Sequence, residues 1–346
     1  MDYKILPNTD IKVSKICLGT MTFGNQNTQN EGFEQMDYAL DQGVNFFDTA
    51  ELYPVPANAE TQGETERIIG NWFQKTGKRD QVILASKIAG PGDYTKHIRE
   101  NLSFSKAHID QAIDLSLQRL KTDYIDLYQL HWPERNSNRF GQRGFVYDPN
   151  DPWEENFEEV LEALAQNIKA GKIRHVGLSN ENPWGLMRFL NASKASNLPR
   201  MITIQNAYSM LCREFETGIS EICHRESVGL LAYSPLGFGV LTGKYLGGKL
   251  PEKARLTLFP RFSRYSSENS SKATQLYKEL AHDHGLSLTT MALAFVNNRS
   301  FVTSNIIGAT TIDQLKENID SYQYSLPEEV LRKIDEIHNQ IPSPAV

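Results

Sequence analysis

This sequence predicts an α/β fold, a (β/α)8 TIM barrel, on three observations. Short β-branched or apolar runs alternate with longer stretches of helical periodicity, which is the pattern of repeated βα units rather than of a sandwich or a bundle. About eight such runs can be counted, enough for a sheet of parallel strands to close on itself. No linker separates two domains, and 346 residues is a length that one α/β barrel reaches, so 1–346 is expected to be a single domain.

The first element is a hairpin: Tyr3-Lys4-Ile5-Leu6 and Ile11-Lys12-Val13-Ser14 alternate in character and are joined by the turn formers Pro7-Asn8-Thr9-Asp10. The expected strands are then Ile16 to Gly19, Asn45 to Asp48, Val82 to Ser86, Ile125 to Leu130, His175 to Leu178, Thr203 to Gln205, Leu230 to Tyr233 and Asn305 to Ile307. Helices are expected at Phe33 to Gln42, Glu64 to Lys75, Ser105 to Leu120, Phe157 to Ala170, Pro183 to Ala195, Ser271 to His284 and Ile312 to Ser321. An extra helix, Pro327 to His338, lies outside the repeats. Two connections are long, Trp132 to Asn156 and Leu236 to Asn269. Both follow strands, which in a barrel puts them on the C-terminal face where such folds keep their sites.

A formal net charge of −6 and the lack of any Lys- or Arg-rich block argue against a nucleic-acid partner. No apolar run is long enough to span a bilayer. The start, Met1 to Pro7, lacks a basic region followed by a long apolar stretch. The three cysteines, Cys17, Cys212 and Cys223, are odd in number and widely spaced, which fits a reducing cytoplasm and no disulfide scaffold.

Four side chains capable of chemistry fall at or just beyond successive strand ends: Asp48, Tyr53, Lys87 and His131. Each alone has a bland reading, a capping Asp or a structural His, but in a barrel all four converge on one mouth. A phenol titrates near pH ~10, so as a proton donor it needs a neighbour that stabilises its anion. Lys87 supplies that charge and Asp48 holds the ammonium charged and aimed, while His131 can orient a carbonyl and stabilise a developing oxyanion.

The stretches Asp48-Thr49-Ala50-Glu51-Leu52-Tyr53, Ala85-Ser86-Lys87 and Gln129-Leu130-His131-Trp132 resemble the Asp, Tyr, Lys and His motifs of the aldo-keto reductase superfamily. Gly177-Leu178-Ser179-Asn180, Gln205-Asn206 and Tyr233-Ser234-Pro235-Leu236-Gly237 follow in that family's order, and the overall spelling is most similar to its Tas-like bacterial branch. The resemblance implies an enzyme: hydride transfer between NADPH (NADP+) and a small aldehyde, ketone or alcohol, with Tyr53 as general acid. It also implies that Ser179, Asn180 and Gln205, with Asp48 nearby, hold the nicotinamide carboxamide and that Tyr233 stacks on the ring. Ser234, Pro235, Leu236, Gly237, Gly239, Leu241, Gly243, Lys244 and Arg255 are similar to the loop that crosses the pyrophosphate. Gly308, Ala309, Thr310, Gln314, Glu317 and Asn318 are similar to the adenosine-binding segment, where Gln314 and the hydroxyls face a 2′-phosphate. Trp132 and Tyr208 are expected in the substrate pocket. One departure stands out. Most members place glycine directly after the tyrosine, whereas here Pro54 to Glu60 intervene before Gly63 and Glu66.

Other signals fail on spacing. Gly237-Phe238-Gly239 lacks the third glycine of a dinucleotide fingerprint, Gly239 to Lys244 misses the phosphate-loop pattern, and HExxH is absent, so no metal is expected. Two rivals remain. A barrel aldolase would use Lys87 as a Schiff base, but leaves Ser179, Asn180, Gln205 and the Lys244 loop without purpose. A regulatory subunit that keeps the fold and NADPH, and works by contacting a partner, is set against the intact group of four.

Overall fold

The computed structural model describes residues 1–345. The chain opens with an antiparallel hairpin, β1 (Tyr3–Ile5) and β2 (Lys12–Ser14). Eight parallel strands then close a barrel: β3 (Ile16–Gly19), β4 (Phe46–Asp48), β5 (Ile83–Ile88), β6 (Ile125–Leu130), β7 (Ile173–Ser179), β8 (Met201–Ala207), β9 (Gly229–Tyr233) and β10 (Val302–Ile307), with β10 pairing back onto β3. The (β/α)8 TIM barrel is therefore the fold.

Helices α1 (Gln29–Asp41), α2 (Glu64–Thr76), α3 (Lys106–Leu120), α4 (Phe157–Lys169), α5 (Pro183–Ser196) and α6 (Ile219–Arg225) return the chain between successive strands from β3 to β9. Between β9 and β10 come α7 (Arg255–Leu258), α8 (Glu268–Asp283) and α9 (Leu288–Asn297), and α10 (Ile312–Asp320) and α11 (Glu328–Gln340) follow β10. Local chemistry sets their starts. Thr28 and Glu31 form a reciprocal capping box on α1, and Ser105, Ser267 and Ser287 each accept a backbone N–H at the heads of α3, α8 and α9.

The largest apolar layer lies between strands and helices. A second, smaller one fills the lower barrel with Cys17, Phe46, Ala85, Leu127 and Leu231, and is closed from below by Leu6 and Val13 of the hairpin region. Each fully buried large aliphatic or aromatic side chain contributes about 1.5–3 kcal/mol relative to exposure, which is what holds so short a hairpin in place. Above that layer the barrel interior turns polar, with Asp48, Lys87, Gln129 and Gln205 all buried.

Three expectations change. Lys87 was expected just beyond its strand, yet β5 runs on to Ile88, so the lysine stands inside the sheet and its side chain is held by strand geometry. The Leu236 to Asn269 connection is largely ordered into short 3-10 turns and α7, with α8 beginning at Glu268 rather than Ser271. α9 was not anticipated, and all ten of its residues are buried. The Trp132 to Asn156 connection holds no helix or strand.

Candidate active site

Asp48 ends β4, and Lys87 stands one strand over on β5. The Lys87 Nζ donates to Asp48 Oδ2 at 2.6 Å, to the Thr49 carbonyl at 2.7 Å and to the Tyr53 hydroxyl at 3.5 Å. Tyr53 reaches this point from the turn after β4, with its ring edge-on to His131 at a centroid distance of 5.7 Å. His131 is fixed from both sides: its N–H donates to the Ile88 carbonyl at 3.0 Å, and its own carbonyl accepts from Asn180 Nδ2 at 2.8 Å. The four expected residues are thus brought together.

Burial raises the Tyr53 phenol above its ordinary value, and the Lys87 charge pulls it only part of the way back. The phenol keeps its proton at neutral pH. For Lys87, burial alone would favour the neutral amine, but Asp48 and Tyr53 outweigh it and the ammonium is held above its usual range. His131 lies well below the ordinary imidazole value, from burial first and then from Lys87, so it is neutral. Its Nδ1 is buried without a partner. A neutral donor in reserve, a phenol and a fixed ammonium can together protonate an oxygen presented at the mouth.

Gln205 Nε2 donates to Asp48 Oδ1 at 2.8 Å, and Gln129, which opens the His131 stretch but is not among the expected site residues, lies in the same cluster 3.3 Å from Gln205. Ser179 Oγ donates to the Gln205 carbonyl at 2.9 Å, and Asn180 follows in a left-handed conformation (φ 52°). The Tyr233 hydroxyl donates to Asn180 Oδ1 at 2.6 Å and accepts from Arg264 at 3.2 Å. Ser179, Asn180, Gln205 and Tyr233 therefore form one bonded set beside Asp48, with the amide and hydroxyl groups that a carboxamide needs. Next in the chain after Asn180, Glu181 makes a buried bidentate ion pair with Arg135 that sequence reasoning missed.

From Ser234 onward the backbone repeatedly enters the left-handed region, at Ser234 (φ 55°), Gly237 (φ 53°), Phe238 (φ 56°), Gly239 (φ 88°) and Gly243 (φ 76°). Three consecutive left-handed residues, Gly237 to Gly239, coil the backbone tightly here, which is where glycine is needed. Pro235 and Leu236 lead into this loop, while the Leu241 side chain is sunk in the core, leaving only its backbone for a ligand. Lys244 folds back over Gly239, and the Arg255 guanidinium lies 5.2 Å from the Phe238 ring centre. Burial lowers both cations, neither with a carboxylate acting on it; the Tyr245 and Tyr53 phenols offset part of that lowering for Arg255, and Arg255 further lowers Lys244. Two cations without a carboxylate partner, carried on this tight glycine-bearing loop, fit a pyrophosphate.

At the end of β10, Gly308 accepts from Asn318 Nδ2 at 3.1 Å, Ala309 is buried, and the Thr310 N–H donates to Gln314 Oε1 at 3.0 Å. Thr311 caps α10. Glu317 is turned away to accept from Ser287 at 2.7 Å, so in this structure it anchors the α9 cap. Asn27 donates to the Thr310 carbonyl at 3.0 Å, an unexpected contact at this end of the site.

Trp132 packs on His131 at 4.9 Å between ring centres and donates its indole N–H to the Pro91 carbonyl at 3.0 Å. Tyr94 and Phe140, both exposed, extend this aromatic wall at 5.5 and 5.6 Å from Trp132. A Cβ on Gly90 would sit 2.3 Å from the indole nitrogen, so glycine is what lets the ring lie here. Tyr208, expected in the pocket, requires correction. Its ring is fully buried between barrel and helices, stacked on Phe295 of α9 at 5.9 Å, and its hydroxyl is bonded to Glu216. It faces outward because it stands three residues after the inward-facing Gln205, an odd step that puts it on the face of Ile204.

The sequence model of the aldo/keto reductase family matches residues 15–339. The chain is 49% identical to "Protein tas" of Escherichia coli (strain K12) over 346 residues, covering 100% of each. It is 33% identical to "Uncharacterized oxidoreductase YrpG" of Bacillus subtilis (strain 168), covering 97% of this chain and 96% of that protein. It is 39% identical to an "Aldo-keto reductase" of Babesia bovis over 75% of this chain and 96% of that protein. The chain belongs to the aldo/keto reductase family, in its Tas-like branch. It is an oxidoreductase of the class that works on carbonyl compounds with a nicotinamide cofactor. No helix among the described residues is long and apolar enough to cross a membrane.

Proposed function

We propose that this protein is a cytoplasmic, NADPH-dependent reductase of small aldehydes or ketones in which Tyr53 is the general acid. Bound NADPH supplies the hydride. The observation that carries the reading is the single ammonium of Lys87, in reach of Asp48, the Thr49 carbonyl and the Tyr53 hydroxyl at once.

Ser179, Asn180 and Gln205 would hold the nicotinamide carboxamide and Tyr233 would lie on the ring. Ser234 to Gly243 with Lys244 and Arg255 would take the pyrophosphate, and Gly308 to Asn318 the adenosine end with its 2′-phosphate. The phenol of Tyr53 gives its proton to the substrate oxygen as negative charge develops there, and the Lys87 ammonium stabilises the phenolate left behind. His131, neutral and with an unpartnered Nδ1, carries its proton on Nε2, because a buried lone pair without a partner costs less than a buried N–H without one. That N–H orients the carbonyl. In the alcohol direction Tyr53 is the base. A Schiff-base role for Lys87 runs against the same geometry, since an ammonium held charged by Asp48 is no nucleophile.

The test is NADPH fluorescence titration followed by absorbance loss on a panel of aldehydes and ketones, for the wild type and Tyr53→Phe. Tight binding by both with turnover by the wild type alone is expected. Equal turnover by Tyr53→Phe would remove the phenol from the mechanism.

A further inference from the structure

Glu51 lies two residues before Tyr53, and Ala89 two residues after Lys87. A buried carboxylate ties the two segments together: Glu51 Oε1 accepts from the Ala89 N–H at 2.8 Å and from Arg99 Nη1 at 2.8 Å, and Oε2 accepts from Arg99 Nη2 at 2.5 Å. Two further bonds repeat the tie: the Glu51 N–H donates to the Lys87 carbonyl at 3.2 Å, and Gln62 Nε2, just past the segment inserted after Tyr53, donates to the Glu51 carbonyl at 2.6 Å. Arg99 is braced in turn by Gln111 of α3 at 2.9 Å. Both charged side chains are sealed from solvent, Glu51 at 0% and Arg99 at 3% exposure.

Burying such a pair brings little net stability compared with an apolar replacement of similar volume, so stability alone does not explain it. Its placement does. The Lys87 to Tyr53 contact of 3.5 Å sits at the outer edge of hydrogen-bonding distance. A displacement of a few tenths of an ångström in the Asp48 to Tyr53 turn therefore decides whether the ammonium reaches the phenol.

We infer that the Glu51–Arg99 pair is a positioning device for the proton donor: it locks the turn bearing Tyr53 against the strand end bearing Lys87 and so sets the gap between them. This rests on the reading of Tyr53 as the general acid. Neither residue touches the reacting atoms.

The test uses the double variant Glu51→Gln/Arg99→Met, which leaves no unpaired buried charge, and Arg99→Lys, which keeps the charge but loses the fork. The full chain, labelled with 13C at tyrosine Cζ, gives a Tyr53 resonance assigned by its disappearance in Tyr53→Phe. Turnover is measured with 4-nitrobenzaldehyde. Loss of the clamp is expected to shift the Tyr53 resonance and lower kcat about tenfold or more, with the NADPH Kd and the KM within about twofold of wild type; Arg99→Lys falls between. A folded double variant with wild-type resonance and kcat overturns the inference. If the double variant does not fold, Arg99→Lys decides on the same two readouts, unchanged values overturning it and a shifted resonance with reduced kcat supporting it. Unchanged kcat in Tyr53→Phe defeats the general-acid reading itself, whereas an inactive Tyr53→Phe beside an unperturbed clamp variant defeats only the clamp.

Discussion

Lys87 and Asp48 form an ion pair of 2.6 Å in which neither side chain is more than 3% exposed. Asp48 also accepts from Gln205, so the carboxylate joins the ammonium to the amide cluster across the barrel. Removing one member of such a pair strands the other charge in the interior, at a cost of about 3–5 kcal/mol. Asp48→Asn is therefore expected to lower the urea midpoint sharply, and Asp48→Asn/Lys87→Met to recover part of that loss while remaining inactive. Equal stability of Asp48→Asn and wild type would show that the pair is not sealed in solution.

The pH dependence follows from His131. In the folded chain the imidazole is held well below its ordinary value, while in the unfolded chain it titrates near pH ~6.5. Above both values both states are neutral and the residue contributes nothing to the slope. As pH falls below ~6.5 the unfolded chain takes up a proton that the folded chain refuses, so stability drops, by up to about 1.4 kcal/mol per pH unit, until the folded-state value is reached. Partly buried His175 and His338, both lowered, act in the same direction. Urea midpoints measured from neutral to mildly acid pH should fall more steeply for the wild type than for His131→Gln. Parallel curves would mean that His131 protonates freely in the folded state.

What the sequence disclosed about this site depends on how local each feature is. The barrel was legible because parallel strands buried on both faces read as short β-branched runs, and because Asp48 and His131 fall at or just past the ends of such runs. α9 was illegible for a related reason: a helix buried on every side has no polar face, so Leu288 to Asn297 shows no helical period against its apolar background. Tyr208 could have been placed correctly by counting in twos from Gln205, since strand parity sends alternate residues to opposite faces. The Glu51–Arg99 and Arg135–Glu181 pairs join residues far apart in the chain, and no spacing rule connects them. Asn27 and Arg264 were missed likewise, because only the closed barrel brings their loops to the site.

Lys244 and Arg255 provide the most direct handle on the cofactor. Both are cations of the loop after β9, both are lowered by burial, and among the described residues neither has a carboxylate acting on it, the Tyr245 and Tyr53 phenols offsetting only part of the burial cost of Arg255. Without a ligand each therefore raises the free energy of the chain, and an added pyrophosphate relieves that cost through charge-assisted hydrogen bonds of about 1.5–3 kcal/mol. Arg255→Met and Lys244→Met are each expected to weaken NADPH binding by about tenfold or more and to flatten its dependence on salt, because fewer charges are then screened. Thermal stability of the free protein should be unchanged or slightly higher, since removing an uncompensated cation relieves repulsion between the two. Fluorescence titrations at low and high ionic strength, set beside melting curves, separate these effects. Unaltered affinity in both variants would mean that the cofactor phosphates lie elsewhere, whereas weaker binding accompanied by a lower melting temperature would mean that the cations hold the loop rather than the ligand.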